Sequence, residues 1–282
     1  MNPEINTLPP AVPKFKPWWR RALRPPFMNM IGAGLAMSLS LALSFALMEA
    51  ILPKEIVSSW GNLVGTLACA LGYWEYANLV ERRTVNELSG FGAIREWFCG
   101  AALGMLLGML TLAPLWVTGV YRLEGVGDSF RLLIYIPEMV LVSVFEELLI
   151  RGVIFRIAEQ AWGSRRALML STMLFVAAHL PGEINIMGLL VTAAASVALS
   201  TGYQLSRRLW LPIGMHFAWN YLFTAVFSLP VSGHEAKGWL LGSMNGPKWL
   251  SGGTYGVEAS AIALFFWVMA SALLLRRLRV KG

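Results

Sequence analysis

The chain has 282 residues, 56% of them hydrophobic and only 14% charged, where a soluble domain carries about a quarter charged residues. Net charge is +7 and pI about 9.7, yet the basic residues punctuate apolar segments and do not interleave with exposed aromatics, which excludes a nucleic-acid reader. The composition is that of an all-α, polytopic membrane protein.

Residues 1–27 hold Lys14, Lys16, Arg20, Arg21 and Arg24 among several prolines and read as a cytosolic basic tail. The apolar run from Met28 to Met48 is longer than the ~7–15 residues of a signal-peptide core and lacks a clean cleavage site, so it reads as the first spanning helix. Stretches of about 20 residues, the length that crosses ~30 Å of hydrocarbon, follow near 57–80, 97–120, 131–158, 166–180, 185–205, 209–229 and 257–275. This gives about eight spans. Residues 28–125 hold the N-terminal helices, with an amphipathic segment near 81–96 expected along the membrane surface. Residues 126–282 form a second helical region.

Lys and Arg fall on alternate connections: the N-terminal tail, Arg82-Arg83 with Arg95, Arg156 with Arg165-Arg166, Arg207-Arg208, and the C-terminal Arg276, Arg277, Arg279 and Lys281. An even number of spans puts all five groups on one face, which is then cytoplasmic together with both termini. The 230–256 connection is the long one on the other face. Cys69 and Cys99 have neither metal-type nor redox-type spacing and read as core residues. No inverted repeat is visible, which disfavours a carrier.

Residues Phe145 to Arg151 place three charges inside an apolar run, and ionised groups at membrane depth are costly enough to mark a functional site. Glu147 and Arg151, four apart, share a helical face in the favourable order for an ion pair. Glu146 points about 100° away from Glu147. Later spans add His179, then His216 and Asn220, again four apart. At ~1.5 Å per residue from the cytoplasmic helix ends, Glu146 and His179 lie about 20 Å up, His216 about 12 Å and Asn220 about 18 Å. One cluster is therefore feasible where spans four, five and seven are adjacent. A carboxylate beside a histidine can hold and deprotonate water, and a second histidine with an amide can donate to an oxyanion. Two His and two Glu also suit a divalent metal, although His-Glu-x-x-His is missing. Glu138 reads as a cap on the outer end of span four, and His234, Glu49 and Glu75 as solvated groups.

The ordered set Glu146-Glu147-x-x-x-Arg151, Phe175-x-x-x-His179 and His216-x-x-x-Asn220 resembles the CPBP family, the CAAX proteases and bacteriocin-processing proteins, also called ABI or type II CAAX prenyl endopeptidase-like. The resemblance covers roughly residues 130–228 and extends into Ser251 to Glu258. It implies an intramembrane endopeptidase whose core lies in 126–282, in which Glu146 with His179 activates water, His216 and Asn220 stabilise the oxyanion, and Glu147 with Arg151 organises the site. No cofactor is expected; the metal-dependent alternative is zinc on Glu146, His179 and His216. The expected partners are membrane lipid and a peptide or protein substrate, and the expected location is a bacterial inner membrane. The alternatives are a non-catalytic scaffold or bacteriocin-immunity factor, and a solute or ion carrier.

Overall fold

The computed structural model describes Leu23 and residues 25–182 and 184–281. Lys14, Lys16, Arg20, Arg21, Arg24 and Glu183 lie outside the described residues. Helices dominate. In chain order they are α1 (Pro26–Ile51), α2 (Lys54–Tyr76), α3 (Ala93–Val117), α4 (Arg131–Glu147), α5 (Arg156–Trp162), α6 (Ser164–Ala178), α7 (Ile186–Ser206), α8 (Trp210–Tyr221), the single turn α9 (Lys248–Ser251) and α10 (Ala261–Lys281). Three π-helical segments extend this set: Ala77–Glu81 continues α2, Leu148–Phe155 joins α4 to α5 as one rod, and Leu222–Val226 continues α8.

Four helices, α1, α3, α7 and α10, are by length and composition apolar enough to cross a membrane. The others fall short for identifiable reasons. The rod of α4 and α5 carries Glu146, Glu147, Arg151 and Arg156, and α6 has 15 residues, about 22 Å of helix at 1.5 Å per residue. On α1 the side chains of Leu35, Leu39, Leu43 and Leu47 form an exposed stripe four residues apart, a lipid-facing surface in a membrane protein.

The expectation of an all-helical chain needs one addition. Strands β1 (Tyr121–Val126) and β2 (Leu240–Met244) pair antiparallel, Tyr121 opposite Met244 and Val126 opposite Leu240, with an irregularity between Leu123 and Gly125. The strands are separated by more than a hundred residues, so no local hairpin signal announces them. They gather the connections 118–130 and 227–260 at one end of the helical bundle. There Arg131 Nη1 donates to Gly238 O at 3.4 Å and Lys237 N to Tyr135 Oη at 3.0 Å.

The opposite end is held by charges. Arg156 Nη2 donates to both oxygens of Glu81 at 2.7 and 2.8 Å, and Arg83 Nε reaches Glu81 Oε2 at 2.6 Å. Arg83 also pairs with Glu87 at 2.8 Å, and Tyr73 Oη donates to Glu87. Segment 82–92 lies within the stretch expected along the membrane surface near 81–96. It is an irregular stretch with one 3₁₀ turn (Asn86–Leu88) whose Glu87 side chain is buried under the bundle. Arg208 donates to the carbonyls of Ser89 and Phe91, and Arg207 pairs with Glu159. Gly163, at φ +84°, lets the chain reverse between α5 and α6 without a Cβ penalty.

Helix α8, the carrier of His216 and Asn220, is set by backbone contact with α3. A Cβ on Gly100 would stand 2.0 Å from Leu211 O, one on Gly104 2.2 Å from Met215 O, and one on Gly214 2.1 Å from Trp97 O. Small residues at a helix crossing allow this approach, as is common between membrane helices. Gly104→Val should force α3 away from α8. The expected cost is about 1–3 kcal/mol, read as a lower midpoint of thermal unfolding in detergent; an unchanged midpoint would contradict the packing described.

Candidate active site

The rod of α4 and α5 brings the charges inward. Glu147 ends α4, and the π segment that follows carries Arg151; both side chains are 0% exposed. Their contact is Arg151 Nη1 to Glu147 Oε1 at 2.8 Å, the pair expected from the four-residue spacing. The π segment frees backbone carbonyls that side chains then satisfy. Gly152 O accepts from Arg156 Nε at 2.7 Å, and Tyr73 Oη, whose proton is shared with Glu87, lies 3.2 Å from it. Single π turns inside helices are frequent at functional sites.

A buried guanidinium needs more than one partner, and α7 supplies them. Arg151 Nη2 donates to Ser196 O and Ser196 Oγ, both at 3.2 Å, and Nε to Ser200 Oγ at 3.3 Å. The Phe175 ring of α6 lies 4.8 Å from Arg151 Cζ, a cation–π contact in a desolvated place. The same ring is 4.6 Å from the His179 ring and 6.4 Å, edge-on, from the His216 ring. Phe175 is thus the apolar spacer between the guanidinium and both imidazoles, a role that its place in the motif does not reveal.

His216 Nδ1 lies 2.9 Å from Glu147 Oε1. An ionised carboxylate only accepts, so Nδ1 carries the proton and Nε2 is turned to the other side of the ring. That side holds Glu146, whose Oε2 is 3.8 Å from His216 Nε2. His179, the residue that ends α6, has Nδ1 2.8 Å from Phe175 O. A carbonyl also only accepts, so His179 likewise keeps its Nε2 free of local bonding.

Glu146, His179, His216 and Asn220 line one cavity of about 470 Å3. Glu146 is 31% exposed, and its Oε2 has no hydrogen-bond partner. Asn220 is 7% exposed, and no partner engages its amide among the described residues. Helices α4, α6 and α8 therefore come together, and all four residues singled out for chemistry reach the same space, while Glu147 and Arg151 lie behind its wall, outside the lining. Glu146 contacts the imidazole of His216, and His179 shares the cavity wall with it.

The cavity has lining residues that the motifs do not include. Glu138, read from sequence as a helix cap, is exposed on the wall, as are His234 and Glu235 of the long connection. Glu258, in the turn before α10, also lines it and accepts from Ser232 N at 2.5 Å. Burial pushes the Glu258 carboxyl up to about 7. Thr192 and Leu199 of α7 also line the wall, contributions that no charged residue signalled.

Among the described residues, no group of three or more His, Cys, Asp or Glu side chains is arranged to hold a metal ion. Glu146, His179 and His216, the ligands of the zinc alternative, line the same cavity.

Fold and site together define a class: an integral membrane protein of helical build with a guanidinium–carboxylate–imidazole centre inside it. Residues 128–222 match the model of the family described as Type II CAAX prenyl endopeptidase Rce1-like. The match is consistent with the CPBP resemblance and contains Glu146, Glu147, Arg151, His179, His216 and Asn220. It supports a CAAX-type intramembrane protease at the level of the family. No curated protein and no solved structure matches the chain.

Removing one member of a buried pair leaves an uncompensated charge, at a cost of about 3–5 kcal/mol. Arg151→Met should destabilise the detergent-solubilised protein by that order, and Arg151→Met combined with Glu147→Gln by less than Arg151→Met alone. Denaturant unfolding of the three proteins checks this, and strict additivity would mean that the two groups are not coupled.

Proposed function

We propose that the chain is an intramembrane endopeptidase that hydrolyses a peptide bond of a membrane-proximal peptide or protein by activating water on Glu146. The observation that carries this reading is the unpartnered carboxylate oxygen of Glu146 in a cavity shared with two imidazoles and a free amide. A carboxylate in this setting serves as general base. His179 holds the same water through its Nε2, with its Nδ1 proton engaged by Phe175 O.

Attack on the scissile carbonyl forms a C–O bond from water and leaves negative charge on the carbonyl oxygen. His216 Nε2, when it carries a proton, and the Asn220 amide donate to that oxygen, and being fixed beforehand they need no reorganisation. Glu147 acts on His216 alone: it fixes the imidazole's tautomer and aim. Breakdown then breaks the C–N bond, and the proton taken by Glu146 passes to the leaving amine. The apolar wall keeps bulk water away from these groups.

The eight helical rods among the described residues carry the spans in this reading, with the arginine-rich end in the cytoplasm of a bacterium and both termini there. Membrane lipid surrounds the bundle, and no metal enters the reaction.

Glu146→Gln should lower turnover of a cleavable membrane peptide by about 10²–10⁴-fold while leaving the unfolding midpoint in place. Mass-spectrometric detection of fragments is the readout, and retained cleavage would remove Glu146 as base. Stringent chelation should leave wild-type cleavage intact; loss of activity restored by zinc would instead favour metal ligation.

A further inference from the structure

The two ends of the bundle differ in charge. Arg82, Arg83, Arg156, Arg165, Arg207 and Arg208 crowd one end, where Arg83, Arg156 and Arg208 are tied to segment 81–92 and Arg207 to Glu159. The cavity holding Glu146 draws no lining residue from that end. It reaches the other end, where Glu138, Pro181, His234 and Glu235 are exposed on its rim, beside the connections that β1 and β2 gather. An arginine-rich end faces the cytoplasm. The cavity therefore opens on the non-cytoplasmic side.

Its lining sets four carboxylates beside three imidazoles, His179, His216 and His234. Glu138, Glu146, Glu235 and Glu258 are all on the wall, and no Lys or Arg is among the lining residues. Arg131 donates to Gly238 O and Lys237 is exposed, and both stand outside the lining. A second observation points to an occupant. The Asn220 amide, more than nine-tenths buried, is unpartnered on the same wall. Between the carboxylates the wall is apolar, with Val142, Val191, Leu199 and Trp267.

Resting on the endopeptidase reading, we infer that this cavity takes a peptide segment presented from the non-cytoplasmic side that carries a basic side chain beside apolar residues. The amide of Asn220 meets the peptide backbone, the apolar wall meets the neighbouring side chains, and the carboxylates at the rim meet the cation. A cation beside Glu258 favours its ionised form, so binding completes the negative field. An anionic residue at the same place, a free terminal carboxylate included, meets like charge, which costs enough to exclude wrong partners.

Fluorescently labelled peptides that share one apolar segment and differ only in a Lys, Gln or Glu at its polar edge test the charge, with binding read by anisotropy and cleavage by mass spectrometry. The Lys peptide should bind wild type at least about tenfold more tightly than the Glu peptide. Glu138→Gln combined with Glu235→Gln should shrink that ratio, and Glu138→Lys with Glu235→Lys should invert it. The ratio is taken within each protein, so differences in folded fraction cancel. Equal binding of Lys and Glu peptides to wild type overturns the inference. Charge-dependent binding without cleavage of any peptide overturns the endopeptidase reading and keeps this one; cleavage without charge dependence does the reverse.

Sidedness has its own test. In a Cys99→Ser background expressed in a bacterial host, His234→Cys should react with a membrane-impermeant thiol reagent in intact spheroplasts. Gly90→Cys, where a side chain meets nothing within 4 Å, should react only after lysis. The reverse pattern would place the cavity on the cytoplasmic side and overturn the inference.

Discussion

The arrangement of this protein depends on a guanidinium held in the interior with no exposed surface. Arg151 cannot shed its proton, so it must be surrounded by acceptors, and those acceptors come from separate helices: Glu147 on its own rod, Ser196 and Ser200 on α7. The Phe175 ring from α6 closes the remaining face. The demand of one charge thus fixes α4, α6 and α7 relative to one another, and Glu147 extends the same network to His216 on α8. The residues proposed for chemistry are those that this network leaves at its edge. Glu146 and the Nε2 side of His216 look into the cavity because Glu147 and Nδ1 are already committed.

A second charged cluster does comparable work at the arginine-rich end. Glu81, Arg83, Glu87 and Arg156 interlock with Tyr73 and draw an irregular connection beneath the bundle. Arg156 lies one residue beyond the π segment that carries Arg151, and its Nε bonds back to Gly152 O. Wide π turns leave carbonyls without regular partners, and here an arginine side chain fills that need. The rod bearing Glu146 is consequently anchored at one end by ion pairs and in its middle by the buried Arg151.

Much of the site was legible in the sequence because its signals are local. The four-residue spacings of Glu147 with Arg151 and of His216 with Asn220 survive in the structure as shared faces, and counting rise per residue placed Glu146, His179 and Asn220 at compatible depth. Helix ends differ by a few residues from the apolar stretches marked in the sequence, as such boundaries do. What escaped was non-local or depended on a change of helical winding. The pairing of β1 with β2 spans more than a hundred residues. The burial of Glu87 depends on Arg83 and Tyr73 meeting it, which composition does not show. Gly100-x-x-x-Gly104-x-x-x-Gly108 was a readable sign of close helix contact and names the face of α3 that meets α8.

The cavity's charge was the least legible feature, and the reason is physical. Glu138, Glu235 and Glu258 are separated by long stretches of sequence, and each taken alone has an ordinary explanation as a cap or a solvated surface group. Only the return of the 227–260 connection across the end of α4, held by Lys237 N on Tyr135 and by the strand pair, brings them to one wall. That connection therefore shapes access to the centre although it supplies none of the buried ion pairs. In the proposed reaction the buried charges determine where water is activated, and the connection determines what reaches it. The two duties fall on different parts of the chain, so the rim can change its electrostatic preference without disturbing the acceptors that Arg151 requires.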